Sequence, residues 1–186
     1  MSQLVRALRT SAGVALPLAR RAVRAAAVGC AVPLALGPAV AGAQNLARDK
    51  PTASTAPWAN NSGPERAVDG NRNGNFFTSP FIFHAGSGTV QQPVWWYVDL
   101  GATTEIARIE FYNRTDSFST RIIGATLGIF NAVPYGQTPA VPVWSFTFTT
   151  GDAAQVIAPP TPQSGRYVGI SHTGNFLHFG EVEVYG

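Results

Sequence analysis

Beyond residue 43 this chain has no cysteine, because its single one is Cys30, and its single lysine is Lys50. No disulfide can staple such a domain, so stability must come from the core, the turns or a bound metal. With no basic run in that stretch, a nucleic-acid partner finds no electrostatic footprint. Acidic residues are also missing from the start: none precedes Asp49. There is no heptad, no internal repeat and no linker long enough to divide the chain. The main apolar run, residues 25–41, is broken by Pro33 and Pro38 and is shorter than the roughly 20 residues of a membrane-spanning helix.

What the chain does have is sharply sorted along its length. Arg6, Arg9, Arg20, Arg21 and Arg24 lead into that apolar run, and Ala41-Gly42-Ala43 follows. This order reads as a secretory signal peptide over residues 1–43, cut after Ala43 to release residues 44–186 to the extracellular space. Arg20-Arg21 lacks the large apolar residue expected after a twin-arginine pair, and Cys30 stands near the beginning of the apolar run, where a lipoprotein signal would have it at the end. The headline charge of +3 therefore belongs to the leader. Residues 44–186 hold eight basic and ten acidic side chains, a formal charge of −2.

Nineteen Gly, 14 Pro and 11 Phe in 186 residues favour short strands and elaborate turns over helices. Strand-like runs are predicted at 94–100, 105–113, 125–131, 141–149, 166–172 and 181–185. The clearest alternation sets Ala107, Ile109 and Phe111 toward a core and Arg108, Glu110 and Tyr112 away from it. Short strands every ten to fifteen residues predict an all-β fold, an antiparallel β-sandwich or jelly roll with binding loops at one end.

Two constellations could carry chemistry. In the predicted long loop 60–94, the stretch Asp69-Gly70-Asn71-Arg72-Asn73-Gly74-Asn75 can gather oxygens around a hard cation such as calcium; Asp-Gly and Asn-Gly are equally the commonest turn formers. Past the 105–113 strand, Arg114-Thr115-Asp116 and then Arg121 put a carboxylate between two guanidiniums, whose outward donor forks suit adjacent sugar hydroxyls. His84 could add a ring nitrogen. The bland alternative is a solvated hairpin with a surface ion pair.

Several motifs occur together and in order: Asn45-Leu46-Ala47, Ala67-Val68-Asp69-Gly70-Asn71, residues 93–101 around Trp95-Trp96-Tyr97-Val98-Asp99-Leu100, Arg114-x-Asp116-x4-Arg121, Gly165-Arg166-Tyr167-Val168 and Glu181-Val182-Glu183-Val184. Over residues 45–186 the chain resembles an F-type lectin (fucolectin) domain of the discoidin and coagulation-factor C-domain superfamily. The Arg-x-Asp-x4-Arg element is what selects the fucose-binding branch.

The resemblance implies a non-catalytic lectin for terminal α-L-fucose on glycans. His84, Arg114 and Arg121 would bond the sugar, Asp116 would orient the arginines, and Phe76 and Phe77 would wall the pocket for the fucose methyl. Some relatives carry two adjacent cysteines after the motif Asp; Ser117 and Phe118 stand here, and Phe118 would supply the apolar contact. A structural calcium is implied at Asp69, Asn71, Glu181, Ser79 (or Thr78) and the carbonyls of Arg66 and Gly180. One weak site per chain implies homo-oligomerisation for avidity. The rival expectation is a discoidin-like module that meets protein or membrane through the apolar tip Pro80-Phe81-Ile82-Phe83. An enzyme is disfavoured, because glycoside hydrolysis needs two carboxylates flanking a cleft.

Overall fold

The computed structural model describes residues 43–78 and 81–186, which belong to one compact unit, Val40–Gly186. The expected leader falls outside the described residues, apart from Ala43. Nine strands follow in order: β1 (Thr52–Ser54), β2 (Phe83–Ser87), β3 (Val94–Ile106), β4 (Arg108–Asn113), β5 (Thr126–Phe130), β6 (Trp144–Thr147), β7 (Ala154–Ile157), β8 (Gln163–His172) and β9 (Phe176–Tyr185). They form two antiparallel sheets, β1-β3-β8-β5-β6 and β2-β9-β4-β7. The expected all-β sandwich is what forms.

The core lies between the sheets because the alternation of period two holds on both inner faces. Val94, Trp96 and Val98 of β3 are buried, as are Ile109 and Phe111 of β4 and Leu177, Phe179, Val182 and Val184 of β9. Trp96 packs edge-on to Phe179 at 5.3 Å, and its indole donates to the Pro64 carbonyl at 2.9 Å, so a large aromatic is buried without an unmet donor. The Asn45 side chain ties the chain entry to the last strand: its oxygen accepts from Ala47 and from Val184, both at 3.0 Å.

Three expectations change. β3 continues beyond Leu100, because Gly101 adopts φ +91° and donates to Asp99 at 2.8 Å, making a bulge after which pairing resumes at Thr104–Gly165. The segment read as one long loop contains a 3-10 turn at Pro64–Ala67 and the whole of β2, so His84 is a strand residue. The apolar tip does not form: Ile82 and Phe83 are buried in the core, and Pro80 lies outside the described residues. No helix among the described residues is long and apolar enough to cross a membrane.

Candidate functional site

β4 ends at Asn113, and the chain must turn there while carrying two arginines. Asn113 is fully buried and holds the turn with its side chain, donating to the carbonyls of Ser119 (3.0 Å) and Gly151 (3.2 Å) and accepting from the Arg114 amide at 2.8 Å. On the other side Gly74 presses against the turn; a Cβ there would sit 2.0 Å from the Asn113 carbonyl. Thr115 donates to the Gly74 carbonyl at 2.9 Å and locks the two segments together.

Arg114 is only 2% exposed. Its Nε donates to Asp116 Oδ1 at 2.6 Å, and Asp116 Oδ2 accepts the Phe76 amide at 3.0 Å. The surface-hairpin reading of this motif is thereby overturned: the ion pair is buried and reaches into a second loop. Among the described residues Asp116 pairs with Arg114 and not with Arg121. Arg121, on the 3-10 turn Ser119–Ile122, is held by ring faces, with its guanidinium carbon 4.1 Å from the Phe118 centroid and 4.6 Å from that of Phe176. Phe76 and Phe118 flank Arg114 in the same way, each at 4.8 Å. The terminal amino groups of Arg114 and the whole Arg121 fork have no hydrogen-bonding partner among the described residues.

His84 arrives from β2, opposite His178 of β9, and the two rings pack at a tilt of 40° with centroids 4.9 Å apart. Its Nδ1 lies 2.8 Å from the Ala85 carbonyl. A carbonyl can only accept, so Nδ1 carries the proton and Nε2 is left as an acceptor. Burial pushes the imidazole down to about 4, with Arg114 and Arg121 adding to the shift, and the ring is neutral near pH 7.

These residues line one shallow pocket of about 280 Å³, with Trp58, Phe76, Phe77, Phe118 and Phe176 as its aromatic walls. Trp58 (61% exposed) and Phe77 (73% exposed) stand at the rim, where aromatic area is free for a ligand. His84, Arg114, Arg121, Phe76, Phe77 and Phe118 of the expected set are brought together, and Asp116 lies behind Arg114. Trp58 and Phe176 were not foreseen. Trp58 sits on a bridge beside β2 (Pro57–Ala85) and Phe176 opens β9 across from Ser87; only the sheet pairing brings either to the site.

The loop from Asp69 to Phe77 is built on a repeat. Asp69, Asn71, Asn73 and Asn75 each accept, through a side-chain oxygen, the amide two residues ahead, at 2.9, 3.2, 3.1 and 2.9 Å. This ladder of Asx turns delivers Phe76 and Phe77 to the pocket. Arg72 clamps it to β9 through a two-pronged bond to Glu183 at 2.8 and 2.6 Å.

At the other end of the ladder, Glu181 is fully buried on β9. Its Oε1 accepts from Gly70 at 2.9 Å, while Oε2 has no partner among the described residues. Burial pushes this carboxyl up to about 8, with nearby Asp69 adding to the rise. A buried, half-satisfied carboxyl group with Asp69 nearby is the donor chemistry that a hard cation takes. Among the described residues no three His, Cys, Asp or Glu side chains converge. Ser79 lies outside the described residues.

The family described as the NedA-like, galactose-binding domain matches residues 66–170. A fucolectin of Anguilla anguilla is 33% identical over 130 residues, 68% of this chain and 78% of that protein. A fucose-binding module from Streptococcus pneumoniae superposes with a TM-score of 0.65 at 28% identity, covering 77% of this chain and 98% of that one. A serum fucolectin of striped bass, Morone saxatilis, gives 0.67 at 26% identity, covering 78% and 50%.

Proposed function

The chain belongs to the family of NedA-like, galactose-binding domains, and from that premise we propose that it is a secreted lectin that binds terminal α-L-fucose on glycans. The observation that carries the reading is the convergence of Arg114, Arg121 and His84 on one aromatic-walled pocket. The named relatives support it: one is a fucolectin, another a fucose-binding module, and a lectinolysin lectin domain is described in complex with the Lewis b antigen.

Each group has a distinct task. The terminal amino groups of Arg114 and the Arg121 fork donate to the ring oxygen and hydroxyls of the sugar. His84 Nε2 accepts from a hydroxyl, so the triad matches both donor and acceptor faces of a polyol. Phe76, Phe77 and Phe118 take the methyl group and the apolar C–H edge. All three polar groups are fixed before the ligand arrives, which limits the ordering cost of binding. Calcium, held by Asp69, Asn71, Glu181, Ser79 and the Arg66 and Gly180 carbonyls, would neutralise the buried carboxylates and fix the base of the Asx ladder.

The reading is one of binding without chemistry. Asp116, the carboxylate nearest the pocket, is already engaged by Arg114 and the Phe76 amide, and the residues lining the pocket include no other acid. A glycan array in calcium-containing buffer tests the proposal. Signals confined to fucosylated glycans are expected, and a flat array or fucose-independent binding would overturn it.

A further inference from the structure

The outer face of the five-stranded sheet carries a second aromatic cluster that the first pocket does not use. Inward positions of β3 are buried, so Trp95 and Tyr97 stand on its solvent side. Their rings are near-parallel, with centroids 5.8 Å apart. Tyr135, from the connection between β5 and β6, stacks on Trp95 at 5.5 Å and 27°. The sheet beneath makes room for that ring: a Cβ at Gly169 would meet it at 2.9 Å, so only glycine leaves the space. Phe130 supports Tyr135 edge-on at 5.8 Å.

Beside Trp95 and Tyr135 opens a cavity of about 400 Å³, rimmed by Gln91, Gln92, Pro93 and Pro139. Its size falls within the range of small-ligand sites. No carboxylate, ammonium or guanidinium lines it. The Gln91 and Gln92 side-chain amides and the Trp95 indole N–H make no hydrogen bond with the described residues. The two prolines limit the backbone freedom of the rim, so little ordering remains to be done on binding.

We propose that this cavity is a second carbohydrate site, taking a neutral pyranose through its C–H face on Trp95 and its hydroxyls on Gln91 and Gln92. An uncharged lining offers nothing to an anionic ligand, whereas stacked rings beside unengaged amides match the two faces of a neutral sugar. The site stands independently of fucose binding. A chain with two different weak sites engages a branched glycan bivalently, gaining avidity that one pocket lacks.

The test uses Arg121→Ala protein, in which the fucose pocket is silenced, titrated by NMR with galactose, N-acetylglucosamine, lactose and cellobiose. At least one is expected to shift the Trp95 indole and Gly136 amide resonances saturably, with a Kd of about 1–10 mM. Trp95→Ala and Gln92→Ala should each weaken that binding at least about tenfold, while in the otherwise unchanged chain they leave methyl α-L-fucoside affinity intact. Gln92 is exposed on the rim, so its variant decides the matter if Trp95→Ala does not fold. The proposal is overturned if none of the four sugars shifts these resonances up to about 50 mM, a concentration that would reveal even a 10 mM site. It is equally overturned if sedimentation shows that Trp95→Ala converts a dimer to a monomer, since a second copy of the chain then covers the rings.

Discussion

Arg114 and Asp116 form a buried pair, joined at 2.6 Å from Nε to Oδ1 and set two residues apart, and the pair's other oxygen holds the amide of Phe76. The link gives Arg114 a structural role beside its proposed one in binding fucose. Arg114→Ala leaves the partly buried Asp116 with the Phe76 amide but without its cation, which costs about 1–3 kcal/mol. The variant is therefore expected to lose fucose binding and several degrees of melting temperature together, as read by calorimetry and thermal unfolding. An unchanged melting temperature would show that the pair is not braced as described.

Arg121 separates the two effects. It makes no ion pair among the described residues and rests on the rings of Phe118 and Phe176. Arg121→Ala should reduce fucose affinity at least about 100-fold, the loss of a charge-assisted donor fork, with a shift in unfolding free energy of about 1 kcal/mol or less. Retained affinity in a fucoside titration would remove Arg121 from the site.

Acid should weaken both stability and binding through His84. Its folded-state value of about 4 lies below the unfolded value near 6.5, so below pH 6.5 the unfolded chain takes up more protons. Stability is full above that value and is lost as pH falls toward 4, by roughly 3 kcal/mol for this one group. Affinity should fall over the lower part of the same window, because protonation removes the Nε2 acceptor and adds a third cation beside two arginines. His84→Gln should flatten the affinity profile measured from pH 7 to pH 4.5; a profile unchanged by the substitution would exclude His84 as its source.

Removal of the proposed calcium should loosen the chain at the Glu181 end first. A chelator is expected to lower the melting temperature of the natural chain by several degrees and to have no effect on Asp69→Ala, which already starts low. Equal melting curves with and without chelator would refute the assignment. Fucose affinity should fall less than stability does, because the pocket is also held by the Asp116 bond to Phe76.

Gly74→Ala offers a purely steric probe. The new methyl would meet the Asn113 carbonyl at 2.0 Å and the Thr115 side chain at 2.8 Å, and the backbone carbonyl cannot swing away as a side chain could. The expected outcome is loss of more than about 3 kcal/mol of stability and a displaced Arg114, visible as lost fucoside binding in whatever fraction folds.

Much of this was legible before any coordinates. Alternation over Ile109, Phe111 and their neighbours announced the sandwich because that signal is local, whereas Arg114-x-Asp116-x4-Arg121 read alone was equally a solvated hairpin, and only the ordered motifs around it marked it as a candidate sugar site. Trp58 and Phe176 were not legible, since Trp58 reaches the pocket through the Pro57–Ala85 bridge to β2 and Phe176 through pairing of β2 with β9 across some ninety residues. β1, β2 and β7 escaped for a related reason: three to five residues long, they hold no period worth reading and are fixed by partners distant in sequence. The Asn-rich stretch of 69–75 showed its composition but not its geometry. Its amides turned out to bond forward along the chain, which the sequence left open between turns and a cation loop.

The ladder over residues 69–77 advances by two residues per rung, and that step size constrains how the loop can change length. An insertion of two residues can be absorbed as one more rung of the same kind. An insertion of one residue puts the two-residue step out of phase, so one of the present Asx bonds between Asp69 and Phe77 is lost. Length variants of this loop in related chains should therefore be tolerated in even steps, and an engineered graft that ignores parity should keep the fold while losing the wall.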